Sequence, residues 1–149
     1  MSASFQFTTA STEETIARGR EMVRLLALPK FLVLRGELGA GKTTLVKGIA
    51  EGLNAASAEE VTSPTFTLIH EYEGSLDDKP VRLYHLDLYR IESERELATL
   101  GIDDLIGPDA LVLVEWGEKF ASILARADGE IFVETAGEDT RAITLTLKD

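Results

Sequence analysis

Between residues 31 and 49 the sequence passes from an unbroken apolar run, Phe31-Leu32-Val33-Leu34, through Gly36-Glu37-Leu38-Gly39-Ala40-Gly41-Lys42-Thr43 into an amphipathic pattern at Leu45, Val46 and Ile49. Residues 36–43 fit G-x-x-x-x-G-K-[ST] at every fixed position, in the strand–loop–helix context that gives this spacing a mechanism. The glycines allow the backbone to wrap an anion closely, successive N–H groups point at its oxygens, and the start of the helix adds the positive end of its dipole. Lys42 is expected to reach the terminal phosphates of a nucleotide and Thr43 to place its hydroxyl on Mg²⁺. Thr44 is expected to touch a phosphate one residue further on. A glycine-rich turn that merely precedes a helix is the competing reading. It leaves the lysine and hydroxyl positions to coincidence.

The rest of the composition narrows the partners. A chain of 149 residues is sized for one domain, which buries about 68–70% of its unfolded surface. A net charge of -11, from 26 acidic and 15 basic residues, argues against a nucleic-acid binder acting alone, because counterion release requires clustered Lys and Arg. The absence of cysteine excludes thiolate metal sites and a disulfide scaffold, and the two histidines, His70 and His85, are separated. MSASFQFTTASTEE carries neither a basic segment nor an apolar run, and no stretch approaches the roughly 18 apolar residues of a membrane span, so a cytoplasmic protein without membrane contact is expected.

Periodicity supplies the remaining elements. Phe5–Thr8 alternates as a short edge strand, and Ser11 with Glu14 forms a capping box ahead of a helix over about residues 12–27, stopped by Pro29. An extended segment is expected from Thr65 to Tyr72, a turn-rich stretch from Gly74 to Pro80, and a long strand from Val81 to Ile91, the two strands pairing as a hairpin. Ser93 and Glu96 cap a short helix ending at Gly101. Ala110–Val114 reads as a second buried strand, followed by a helix carrying Phe120, Ile123 and Leu124 and by strands at about 131–135 and 142–147. The fold class is therefore α/β: a single P-loop NTPase-like domain over residues 1–149, its mixed sheet parallel near the phosphate loop, antiparallel in the hairpins, and flanked by helices.

A phosphate loop needs a carboxylate at the end of a neighbouring strand to hold Mg²⁺ or orient water. Glu115, which closes Leu111-Val112-Leu113-Val114, is the first candidate. Asp87 is the second, with a structural ion pair to Arg82 or Arg90 as an even rival. Thr65, after Ser63-Pro64, could report on the γ-phosphate as switch threonines do, or simply reflect strand propensity. Trp116 is either core or an aromatic contact for a partner, and His85 packs in its strand beside Asp87. The only asparagine, Asn54, lies in no Asn-Lys-x-Asp motif, so guanine recognition by that route is excluded and ATP is expected.

GELGAGKTT at 36–44, TSPTFTLIHEY at 62–72, YHLDLYRI at 84–91, LGID at 100–103 and LVEWGEK at 113–119 together resemble the TsaE (YjeE) family, the bacterial ATPases of tRNA threonylcarbamoyladenosine synthesis. The likeness covers about the central two thirds of the chain. It implies ATP bound with Mg²⁺, slow hydrolysis alone, and action with a TsaB–TsaD complex that holds the tRNA and modifies the adenosine beside the anticodon. Residue by residue it places Lys42 and Thr43 at the phosphate and Mg²⁺, Glu115 as second Mg²⁺ acid and Asp87 at an acid linked to hydrolysis. Thr65 and Trp116 match its SPT threonine and VEW tryptophan, and Thr12 and Arg141 fall at its adenine site. No arginine finger is identifiable, since strand parity would put Arg90 on the face opposite Asp87. A small phosphotransferase acting on a metabolite, or a nucleotide-gated binding module, are the competing functions.

Overall fold

The computed structural model describes residues 3–37, 41–64 and 68–148. Among these, seven strands form one sheet: β1 (Ala3–Thr9), β2 (Lys30–Arg35), β3 (Ile69–Leu76), β4 (Lys79–Asp87), β5 (Ala110–Glu115), β6 (Gly129–Thr135) and β7 (Arg141–Leu147), in the order β1-β7-β6-β2-β5-β4-β3. The four central strands, β6, β2, β5 and β4, run parallel, while β3, β7 and β1 add antiparallel flanks. The α/β class and the mixed sheet are as the sequence predicts. Strand order emerges only here.

The parallel strands are apolar on both faces, and their alternation divides the core in two. Leu32, Leu34, Leu83, Leu111 and Leu113 pack towards α1 (Thr12–Met22) and α2 (Lys42–Gly52), against Met22, Leu45, Val46 and Ile49. Phe31, Val33, Leu86, Val112 and Val114 face the other way, towards Leu97 of α3 (Glu94–Ala98) and towards Phe120 and Ile123 at α4 (Ala121–Arg126). Helices α1 and α2 cross in backbone contact: a Cβ on Gly48 would lie 2.1 Å from the Ile16 carbonyl oxygen, so only glycine fits. The phosphate-loop helix is thereby seated directly against the helix that opens with Thr12.

Several boundaries differ from expectation: β3 begins only at Ile69, after Leu68 with φ at 70°, and α3 ends at Ala98, short of Gly101. Helix α1 ends at Met22 and tightens into a 3₁₀ turn at Val23–Leu25 before the chain extends at Leu26, a few residues short of position 27. The stretch 74–80 is mostly strand: β3 continues to Leu76, where Ser75 N–H donates to Leu53 O at 2.6 Å, and only Asp77 and Asp78 turn. Both have positive φ, 52° and 65°, as a two-residue type I′ hairpin demands. Finally, β4 stops at Asp87 rather than Ile91, because the Asp87 carboxylate accepts the Tyr89 N–H at 2.9 Å and turns the backbone out of the sheet. Arg90 is thus not in a strand, and the parity that placed it away from Asp87 does not apply.

Candidate nucleotide site

Strand β2 delivers the chain to Gly36 at the carboxyl edge of the sheet. With φ at 154°, a Cβ there would sit 2.5 Å from the Val133 carbonyl oxygen and 3.4 Å from Lys42 Cγ, so the first glycine of the loop is held between β6 and the lysine it serves. Glu37 follows, exposed, and Leu38, Gly39 and Ala40 lie outside the described residues, as does Thr65. The chain re-enters at Gly41, which precedes the first turn of α2, and Lys42, Thr43 and Thr44 occupy that turn. Lys42 is buried.

The two expected acids meet at the same edge. Glu115 ends β5, opposite Leu34 of β2 on one side and opposite Asp87 of β4 on the other, and both carboxylates belong to buried residues. Adjacent strands lie about 4.8 Å apart, so these are neighbouring positions. Strand parity puts Glu115, Asp87 and His85 on the face that α2 covers. Lys42 Nζ stands 3.4 Å from Glu115 Oε1, and His85 Nε2–H donates to Oε2 at 2.5 Å. Burial alone would raise the Glu115 pKa; the His85 hydrogen bond and charge, followed by Lys42, outweigh it and hold the carboxyl below its ordinary value. The Glu115 carboxylate is thus held on both oxygens, by Lys42 and by His85.

For Asp87 the rival ion pair with Arg82 is overturned. Arg82 lies at the opposite end of β4, beside Ala110, and pairs with Glu71 at 3.4 Å and Glu73 at 3.3 Å across the β3–β4 hairpin. The segment after Asp87 is instead tied to the one after Glu115: Leu88 N–H donates to Glu115 O at 3.0 Å, and Lys119 Nζ donates to the carbonyls of Leu88, Tyr89 and Ile91 at 3.3, 2.8 and 2.8 Å. Trp116, with φ at 63°, is half-buried and turns its ring to the site, with Lys42 Nζ 5.0 Å from the centroid and the exposed Tyr89 ring at 5.2 Å. Thr12 and Arg141 also converge, lining one small cleft with Ser11, Thr15, Gly41 and Thr44. Arg141 Nε lies 3.7 Å from the position a Cβ on Gly41 would take.

Periodicity and motif matching missed two residues of this constellation, His85 and Lys119. The signal for His85 was its spacing of two from Asp87, which puts both on one strand face, but its partner Glu115 could be named only once β4 was known to adjoin β5. As a donor set, the Glu115 carboxylate and the Thr43 hydroxyl are hard oxygens of the kind Mg²⁺ takes, and Mg²⁺ typically uses one or two carboxylates together with substrate phosphates. Among the described residues no group of three metal-ligating side chains occurs. No helix among them is long and apolar enough to cross a membrane.

Comparison with known proteins gives a consistent answer. The family model described as threonylcarbamoyl adenosine biosynthesis protein TsaE matches residues 9–143. The tRNA threonylcarbamoyladenosine biosynthesis protein TsaE of Bacillus subtilis is 41% identical over 138 residues, covering 93% of this chain and 82% of that protein. Its namesake from Treponema pallidum is 38% identical over 135 residues, covering 91% and 95%. Among solved structures, the crystal structure of Bacillus subtilis YdiB superposes with a TM-score of 0.71 at 34% identity, covering all of this chain and 88% of that one.

Proposed function

Because the chain belongs to the TsaE family of threonylcarbamoyl adenosine biosynthesis proteins, we propose that it serves tRNA threonylcarbamoyladenosine formation as a Mg²⁺-dependent ATPase working with a TsaB–TsaD complex. The observation that carries this reading is the convergence of Lys42, Glu115 and Asp87 at the carboxyl edge of three adjacent parallel strands, where ligands bind in open α/β sheets.

In this reading the loop backbone and the start of α2 cradle the phosphates, and Lys42 neutralises charge on the terminal ones. Thr43 and Glu115 would hold Mg²⁺, which would supply charge neutralisation to the phosphates. Asp87, in the neighbouring register position, orients a water for in-line attack on the γ-phosphate. Thr12 and Arg141 border the base. The acidic balance of the chain, net -11, supports a division of labour in which the partner complex holds the tRNA, and the half-buried Trp116 beside the exposed Tyr89 offers it an aromatic contact.

The test is nucleotide binding and product analysis on the purified chain. ATP with Mg²⁺ should bind in preference to GTP and give ADP and inorganic phosphate with no acceptor metabolite present. Asp87→Asn should retain ATP affinity while losing turnover. A requirement for an acceptor would instead favour a phosphotransferase.

A further inference from the structure

His85 is fully buried in β4, on the strand face that α2 covers, among leucines that would satisfy packing without it: Leu83 two residues earlier and Leu113 opposite are equally buried. Its Nε2–H meets Glu115 Oε2 at 2.5 Å, while its Nδ1 has no hydrogen-bond partner among the described residues. An orphaned buried nitrogen is unfavourable and an apolar residue would avoid it, so packing alone gives no reason for a histidine here.

The two partners of Glu115 differ in kind. Lys42 reaches Oε1 at 3.4 Å from a long flexible stem, and the function proposed above requires that ammonium to move onto phosphate. The imidazole has two torsions, is enclosed on every side and sits in a central strand, so it cannot follow. Once Lys42 has left, the His85 hydrogen bond is the contact that fixes the Glu115 carboxylate. Groups behind a metal-binding carboxylate commonly set its orientation and hence the affinity of the site.

We propose that His85 is a positioning residue for Glu115, holding its carboxylate in the orientation that takes Mg²⁺ after Lys42 has moved to the nucleotide. This rests on the assignment of Glu115 as the Mg²⁺ acid. The discriminating quantity is the Mg²⁺ concentration that half-saturates the increase in ATP affinity, measured by calorimetry beside ATP affinity in EDTA and thermal stability. His85→Leu should bind ATP in EDTA as the unsubstituted chain does, yet need about 10–100-fold more Mg²⁺. His85→Gln, whose amide nitrogen falls near Nε2, should restore most of the difference, and the shorter His85→Asn should not.

A folded His85→Leu with an unchanged Mg²⁺ requirement overturns the proposal. Should the leucine variant not fold, equal Mg²⁺ requirements in His85→Gln and His85→Asn overturn it just as firmly. Glu115→Gln separates the two levels. If that variant leaves the Mg²⁺ requirement unchanged, the Glu115 assignment itself fails; if it raises the requirement while the His85 variants do not, only the role of His85 fails.

Discussion

The ammonium of Lys42 is shared between Oε1 of Glu115, 3.4 Å away, and the face of Trp116, whose ring centroid is 5.0 Å away. Both contacts engage the cation that the proposed function assigns to phosphate. On that proposal ATP would exchange them, and Trp116, the only tryptophan of the chain, would lose a charge from its face. Its emission is expected to change in a saturable manner with ATP. Lys42→Met should weaken ATP binding by about 10–100-fold, the value of one charge-assisted hydrogen bond of about 1.5–3 kcal/mol. A fluorescence titration on both proteins checks this.

Among the described glycines of the loop, Gly36 is the more constrained. In Gly36→Ala the added methyl would lie 2.5 Å from the Val133 carbonyl oxygen at a φ that side chains rarely adopt. Either β6 shifts or the loop does. The expected cost is about 1–3 kcal/mol of stability, the range for overpacking, together with loss of ATP affinity beyond what the stability change explains. Urea unfolding and calorimetric titration of the same preparation report both.

The β3–β4 hairpin makes an independent stability prediction far from the site. Asp78 has φ at 65°, and glycine adopts that conformation without strain. Asp78→Gly should raise the urea midpoint, with a gain of up to about 1 kcal/mol, because a side chain at left-handed φ costs about 1–2 kcal/mol and the extra unfolded-state freedom of glycine costs about 0.5–1, with no effect on nucleotide binding. Asp77 is less suitable because its carboxylate pairs with Arg24 at 2.7 Å.

The depressed pKa of Glu115 has a definite sign in stability. Below the ordinary value of 4.5 the unfolded chain takes up a proton that the folded chain still refuses, so the contribution of this group is complete above 4.5 and is lost as pH falls through the lower folded value. Without nucleotide, Glu115→Gln should flatten the acid limb of the stability curve below pH 4.5 relative to the unsubstituted chain. His85, Lys42 and the neighbouring Asp87 face the same carboxylate. Denaturant midpoints at a series of pH values, each paired between the two proteins, isolate the difference.

Strong local signals and tertiary information divide here along physical lines. The two buried strands and the caps at Ser11 and Ser93 are local, and each element appears where its residues place it. The place of Glu115 at the end of β5 was readable because four apolar residues precede it. The end of β4 was not: Leu86, Leu88 and Ile91 continue an apolar rhythm past Asp87, while the Asp87–Tyr89 hydrogen bond and the Lys119 ammonium, from 28–31 residues away, draw the backbone out of the sheet. The His85–Glu115 contact spans 30 residues and depends on strand order, which periodicity does not encode. Arg141 met Thr12 and Gly41 in one cleft only through the β6–β7 hairpin and the start of α1.

The central claim is that Lys42, Glu115 and Asp87 form a Mg²⁺-dependent ATP-hydrolysing site whose turnover answers to a partner. The direct measurement is phosphate release from ATP with Mg²⁺ by the purified chain, alone and with TsaB–TsaD, using Glu115→Ala as the control. Slow release alone, a clear change of rate on adding the complex, and loss of both in the variant are the predicted results. A rate that ignores the complex and survives Glu115→Ala would contradict the claim.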